Sequence, residues 1–426
     1  MAERKVLLAC IVSSMLGVLF SSFFHSNLTA VNFYSDIGSF WGRNWVSQGL
    51  VPYSTPELFE YPPMSGLLIY AARQFGGVVS IYLGSTYDGY YLGFSILSIA
   101  AAGVLGWSAW RLSRALGTRL SPAYFLLPTM LIYSVYNFDL FNALFILLGL
   151  QFFLEKRKGW SALFIGLALA TKLVAGVLLP VLLLNLPSWR DRGRYLVISL
   201  AIGGAFFLPI AVFNPGFFGQ FISFYRGWGL EDAWYIWIFG DPFSSAARVF
   251  GIILLGILLL RVYTLKMPLV QQSFLALSAY LLSTTIYAPQ FNVMLVPLLA
   301  VLALNSPFVF SMDVFNSLII LTWFTVPTGP QSGPTYAWTV PQLMALLRSG
   351  SLALLCASMA AGTGHSIVGW FRRSPSLDRY LKPDQLKARL TSRTLRTLRI
   401  REFDPSTLLR KSPRARKRWA PPQRES

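Results

Sequence analysis

An all-α fold is predicted: a polytopic transmembrane helix bundle of about twelve spans, with external loops bearing juxtamembrane helices. Three observations predict it. The 426 residues are 54% hydrophobic and only 12% charged, with a mean hydropathy of +0.54; a soluble domain is about 25% charged. The apolar residues come in repeated runs close to the ~20 residues a spanning helix needs. The remaining charges sort by side, as a bilayer demands of its loops.

The first run lies in "MAERKVLLACIVSSMLGVLFSSFF". It has a charged start and no small-x-small cleavage pattern, so it reads as a retained signal anchor and first spanning helix, residues 6–24. Further spans are expected at 91–112, 119–136, 139–154, 160–173, 174–187, 194–213, 246–264, 270–287, 290–305, 313–327 and 338–361. Residues 160–187 read either as one long helix or as a hairpin bent near Lys172. The hairpin puts "RDRGR" (190–194) with the other basic loops and is favoured by the positive-inside rule. Arg111, Arg114, Arg119, "EKRK" (155–158), Arg261 and Lys266 then share one side, the cytoplasmic one, with both termini. Asp36, Glu57, Glu60, Asp88, Asp139, Glu231, Asp232 and Asp241 share the extracytoplasmic side, with Arg43, Arg73 and Arg226 as its few basic residues.

Residues 1–365 are thus expected to form the membrane domain, with external loops at 25–90 and 214–245. Within the first loop, "PPMSGLLIYAARQFGG" reads as a helix lying at the interface rather than a crossing. Residues 366–426 form a basic tail that carries much of the net charge of +19. Such a tail suits anionic membrane lipids; it lacks the aromatic interleaving of a nucleic-acid binder, so no nucleic-acid partner is expected. Cys10 and Cys356 lie in apolar runs, and His25 and His365 are far apart, so neither a metal centre nor any other cofactor is expected.

Charges at a membrane edge are retained when paired or when they work. Those on the external side give the candidate site: Asp36, Arg43, Glu60, Asp139, Lys172 and Arg226, with Tyr61 and Gln290 beside them. Asp36 in "SDIGSFW" is either a general base in a partly apolar cleft or part of a helix cap, with Ser35 the other cap candidate. Glu60 in "EYPP" is a rigid acid suited to a hydroxyl or cation, or a loop acid beside an interface anchor at Tyr61. Asp139 in "NFDLFNALF" suits a turn and helix start. Lys172 either snorkels or meets an anionic group such as phosphate. Gln290, after Ala288-Pro289, suits sugar hydroxyls or a helix cap.

The order "YSDIGSFW", "GLVPY", "EYPP", then "NFDLFNALFILLGLQFFLEKRKGWSALFIGLALATKL" and "YAPQFNVMLVPLL" resembles the GT-C superfamily of polyprenyl-phosphate-sugar-dependent glycosyltransferases. It is most similar to the bacterial and archaeal mannosyltransferases, and in order also to the enzyme adding the first mannose to glycosylphosphatidylinositol. The resemblance covers most of residues 1–305. It implies a polyprenyl-phosphate-sugar donor, a glycolipid or glycan acceptor, an inverting transfer at the extracytoplasmic face, and Asp36 as the catalytic acid of the first external loop. Where the family has a second acid two residues on, this chain has Gly38, which favours one general base over a metal-binding pair. The alternatives are a transporter or lipid flippase, and a non-catalytic membrane scaffold.

Overall fold

The computed structural model describes residues 2–329 and 332–361. The basic tail and His365 lie outside the described residues. In chain order the α-helices are α1 (Ala2–His25), α2 (Asp36–Ser39), α3 (Asn44–Ser47), α4 (Pro63–Leu83), α5 (Thr86–Leu116), α6 (Pro128–Tyr133), α7 (Asp139–Leu154), α8 (Lys158–Thr171), α9 (Leu178–Leu184), α10 (Trp189–Phe213), α11 (Gly216–Gly227), α12 (Ile236–Phe239), α13 (Ser245–Thr264), α14 (Leu269–Ser283), α15 (Val296–Leu302), α16 (Pro307–Trp323) and α17 (Val340–Ala360). Short 3-10 turns at Pro122–Leu126, Leu173–Val177 and Pro289–Met294 lead into α6, α9 and α15. The described residues form no β-sheet, only isolated bridges.

Side-chain contacts assign the helix ends to two ends of the bundle. At one end Arg114 pairs with Glu3 (3.2 Å), Arg111 with Glu155 (2.8 Å) and Lys158 with Asp191 (3.1 Å). At the other, Tyr91 Oη donates to the Ser22 carbonyl and Ser65 Oγ to that of Thr171, while Asn214 Nδ2 donates to that of Tyr53. The chain runs between these ends through α1, α5, 122–133, α7, α8, 173–184, α10, α13, α14, 289–302, α16 and α17. These segments coincide with the spans predicted from sequence. The Lys158–Asp191 pair also decides the form of 160–187. Both residues lie at one end, so the chain between them goes up and returns, with Lys172 at the bend.

By length and composition, six helices can cross a bilayer: α1, α4, α5, α10, α13 and α17; six further apolar segments of 10–17 residues are shorter. These short segments suit a polytopic protein, because proline and glycine breaks are tolerated where neighbouring helices cover the freed backbone. Long apolar side chains stay exposed along α10 and α13, with Trp189 at the start of α10, the faces such a protein turns to lipid.

The segment expected to lie flat at the interface is a correction. It is α4, a continuous 21-residue helix packed along α5. A Cβ on Gly76 would fall 2.2 Å from the Gly89 carbonyl oxygen, and one on Gly93 would fall 2.4 Å from that of Ala72. Small residues therefore let the two backbones touch, as in membrane helix pairs. Pro62, just before α4, lines the cavity described next, and α4 ends at the turn into the Ser22-contacting end of α5. α4 therefore runs antiparallel to α5, with 76 beside 89 and 72 beside 93.

Candidate active site

A cavity of about 1000 Å³ opens at that end, of the size that holds a small ligand or cofactor (~300–1000 Å³). Seven of the eight residues singled out from sequence line it: Asp36, Arg43, Glu60, Tyr61, Lys172, Arg226 and Gln290. Asp139 does not, and this corrects its reading as a substrate-binding residue. It is fully buried behind Lys172.

The helix-cap question at Asp36 is answered by its neighbour. Ser35 is the N-cap of α2, its hydroxyl accepting from the Gly38 amide. Asp36 is therefore released from capping, and its carboxylate turns to the cavity. It accepts from Asn137 Nδ2 (2.7 Å), Tyr34 Oη (3.0 Å) and Tyr61 Oη (3.3 Å). All three donors are neutral. Burial raises the Asp36 carboxyl to about 6, against the opposing pull of the bonds from Tyr34 and Asn137 and of the more distant Lys172 charge. A carboxylate so placed is held still and is only weakly acidic, as a general base near neutral pH requires. Beside it, a Cβ on Gly38 would lie 2.9 Å from Tyr87 Oη and 3.2 Å from Ser35 Oγ. A side chain there has little room.

The other charges on this wall are paired. Arg43 holds both oxygens of Glu60 (2.8 and 2.7 Å) and the Leu58 carbonyl. Lys172 Nζ contacts both oxygens of Asp139 (2.9 and 2.7 Å) and lies 4.3 Å from the centre of the Phe291 ring. Lys172 therefore does not snorkel. It is 7% exposed, ionically satisfied, and lines the cavity. Asp139 sits at the start of α7 with Asn137 just ahead of it, so the pair fixes the turn that carries Asn137 to Asp36.

The second wall comes from residues 221–232, the start of α13, and 284–290. Arg226 and Arg248 face the cavity, and among the described residues neither has a carboxylate within 4.0 Å. Arg248 instead donates to the carbonyls of Arg226 and Trp228. Glu231 accepts from Trp228 Nε1 at 2.7 Å, and burial raises its carboxyl to about 7. Gln290 lines the cavity without a protein hydrogen-bond partner among the described residues, leaving its amide for a ligand. Arg248 and Arg348 were not singled out from sequence. Each was detectable as a lone arginine in an apolar run, in "SSAARVFGIILL" and "QLMALLRSGSLALL".

Comparison with known proteins adds little here. No family model matches the chain, and no curated protein matches it. The solved structure of ArnT from Cupriavidus metallidurans bound to undecaprenyl phosphate is similar at 16% identity, over 86% of this chain and 78% of that one, with a TM-score of 0.44. At that level nothing about chemistry follows from the likeness. Among the described residues, no three His, Cys, Asp or Glu side chains converge as metal ligands.

Proposed function

We propose that this chain is an integral-membrane glycosyltransferase that moves a sugar from a polyprenyl-phosphate donor to a hydroxyl of a glycolipid or glycan. The sugar its motifs favour is mannose. The observation that carries the reading is Asp36: a weakly acidic carboxylate, bound only by neutral donors, on the wall of a large cavity that also presents unpaired guanidinium groups.

The chemistry follows from those parts. The acceptor hydroxyl gives its proton to Asp36 as its oxygen attacks the anomeric carbon. The bond from that carbon to the phosphate oxygen breaks, and the electron pair leaves with the phosphate. Attack and departure are on opposite faces, so the anomeric configuration inverts. Arg226 and Arg248 are placed to hold the phosphate and its growing charge. Tyr61 and Asn137 keep Asp36 aimed. Phe221, Ile222, Leu173 and Ile252, also on the wall, suit the isoprenoid chain. By the positive-inside rule the end carrying Arg111, Arg114, Lys158 and Arg190 is cytoplasmic, so the cavity is extracytoplasmic.

The test is transfer by purified protein in lipid nanodiscs, using radiolabelled polyprenyl-phosphate-mannose and extracted membrane lipids as acceptors. Labelled product is expected. Asp36→Asn is expected to lower the rate about 10²–10⁴-fold, the usual contribution of a general base, while donor binding persists. Full transfer by folded Asp36→Asn, or no product from any polyprenyl-phosphate sugar, overturns the reading.

A further inference from the structure

The second wall contains a carboxylate the mechanism above does not use. Glu231 is held by its own backbone: its amide donates to the Thr285 carbonyl (2.9 Å), and its carbonyl accepts from the Tyr287 amide (2.8 Å). These two strands of chain are clamped from behind by Arg348, which is fully buried. Its guanidinium donates to the carbonyls of Asp232 (2.9 Å) and Tyr287 (2.8 Å) and to Asn316 Oδ1 (3.1 Å), and lies 3.5 Å from the centre of the Tyr287 ring. No carboxylate lies within salt-bridge distance of it among the described residues. A buried cation held only by carbonyls, an amide and a ring is an expensive way to fix backbone. It fixes the residues that present Glu231 to the cavity.

In front of the clamp, Trp228 joins two kinds of group. Its carbonyl accepts from Arg248, and its indole N–H donates to one oxygen of Glu231. The second Glu231 oxygen has no hydrogen bond among the described residues, and both residues line the cavity. So an anion-binding pair, an aromatic face and a hydroxyl-binding carboxylate lie together on one short stretch. A sugar esterified to phosphate needs this combination, because its anionic group, joined through the anomeric oxygen, and its ring hydroxyls belong to one small ring. Carboxylates and amides accept from ring hydroxyls, and an indole face packs on the apolar face of a sugar ring.

Resting on the proposed function, we infer that Glu231 and Trp228 read the hydroxyls and ring face of the donor sugar, with Arg348 as the positioning residue that holds Glu231 in place. The test measures binding, by calorimetry in detergent, of two probes: polyprenyl-phosphate-mannose and bare polyprenyl phosphate. In Glu231→Ala, affinity for the sugar-bearing lipid is expected to fall about tenfold, the size of one lost charge-assisted hydrogen bond, with affinity for the bare phosphate unchanged. Glu231→Gln, which still accepts from a hydroxyl, restores most of the loss. Arg348→Lys keeps the charge but cannot bridge two carbonyls and an amide, and is expected to lose the same preference. An unchanged preference in Glu231→Ala overturns the inference. So does an equal loss for both lipids, which would make the wall merely structural. If the unaltered protein binds neither lipid, the proposed function itself falls, and this inference with it.

Discussion

The two walls of the cavity handle charge in opposite ways. On the wall built by the first loop and the α8 bend, opposite charges meet: Arg43 with Glu60, and Lys172 with Asp139. Asp36 is the exception, bound only by neutral donors. On the wall built by 221–232 and 284–290, cations and acids lie close in sequence yet do not pair. Arg248 is held by carbonyls, and Glu231 by an indole. A paired charge is part of the frame, since its field is spent on its partner. A charge held by neutral groups keeps its field for a ligand. The contrast separates residues that build the site from those available to act in it.

The largest effect is expected where a framing pair is broken. Lys172→Met removes one partner of a buried ion pair and strands the fully buried Asp139. Such losses are worth about 3–5 kcal/mol, so a marked drop in thermal midpoint in detergent is expected. Lys172→Met combined with Asp139→Leu leaves no stranded charge and is expected to recover much of the stability. If the single variant melts like the parent, the pair is not a frame and the contrast between the walls fails.

Much of this contrast was visible along the chain, and the missing part has a common cause. The spans were legible because bilayer length and loop charge act on local sequence. So were the lining residues, because a charge beside an apolar run stands out wherever it falls. Pairing was not legible. Lys172 and Asp139 are 33 residues apart, and nothing local says that the lysine spends its charge on that acid instead of a ligand. The cap at α2 was ambiguous for the opposite reason: Ser35 and Asp36 are both good caps, and only the fold chose the serine. The segment 63–83 was misread because a flat interfacial helix and a helix packed by glycines share one hydropathy; Gly76 and Gly89 are what differ. Arg348 was not singled out although it is a lone arginine in its run, and its partners are backbone carbonyls at 232 and 287, which carry no sequence signal.

A mid-sized effect tests the exception on the first wall. Asp36 acts as a base only when ionised, and its carboxyl is raised to about 6. The rate should therefore fall about tenfold for each pH unit below 6 and level off above it, since one pH unit changes the ionised fraction tenfold on the acid limb. Glu231, raised to about 7, lies across the same cavity, so the profile should be repeated in Glu231→Gln. The limb near 6 should persist there. Its disappearance would move the essential ionisation to the second wall.

The smallest effect on stability is expected at the unpaired cations. Arg226 has an exposed residue position and no carboxylate within 4.0 Å among the described residues, so Arg226→Gln should shift the thermal midpoint little, within the ~0.5 kcal/mol typical of surface substitutions. Its effect should appear in binding instead. A guanidinium with no internal partner contributes to phosphate affinity through an interaction that salt screens. Arg226→Gln should therefore weaken binding of bare polyprenyl phosphate several-fold at low salt, with the difference from the parent shrinking as salt is raised. Arg43→Gln offers the control from the paired wall: it should lower stability, by stranding Glu60, more than it changes that salt dependence. Should Arg43→Gln and Arg226→Gln behave alike in both measurements, pairing would not distinguish frame from function in this protein.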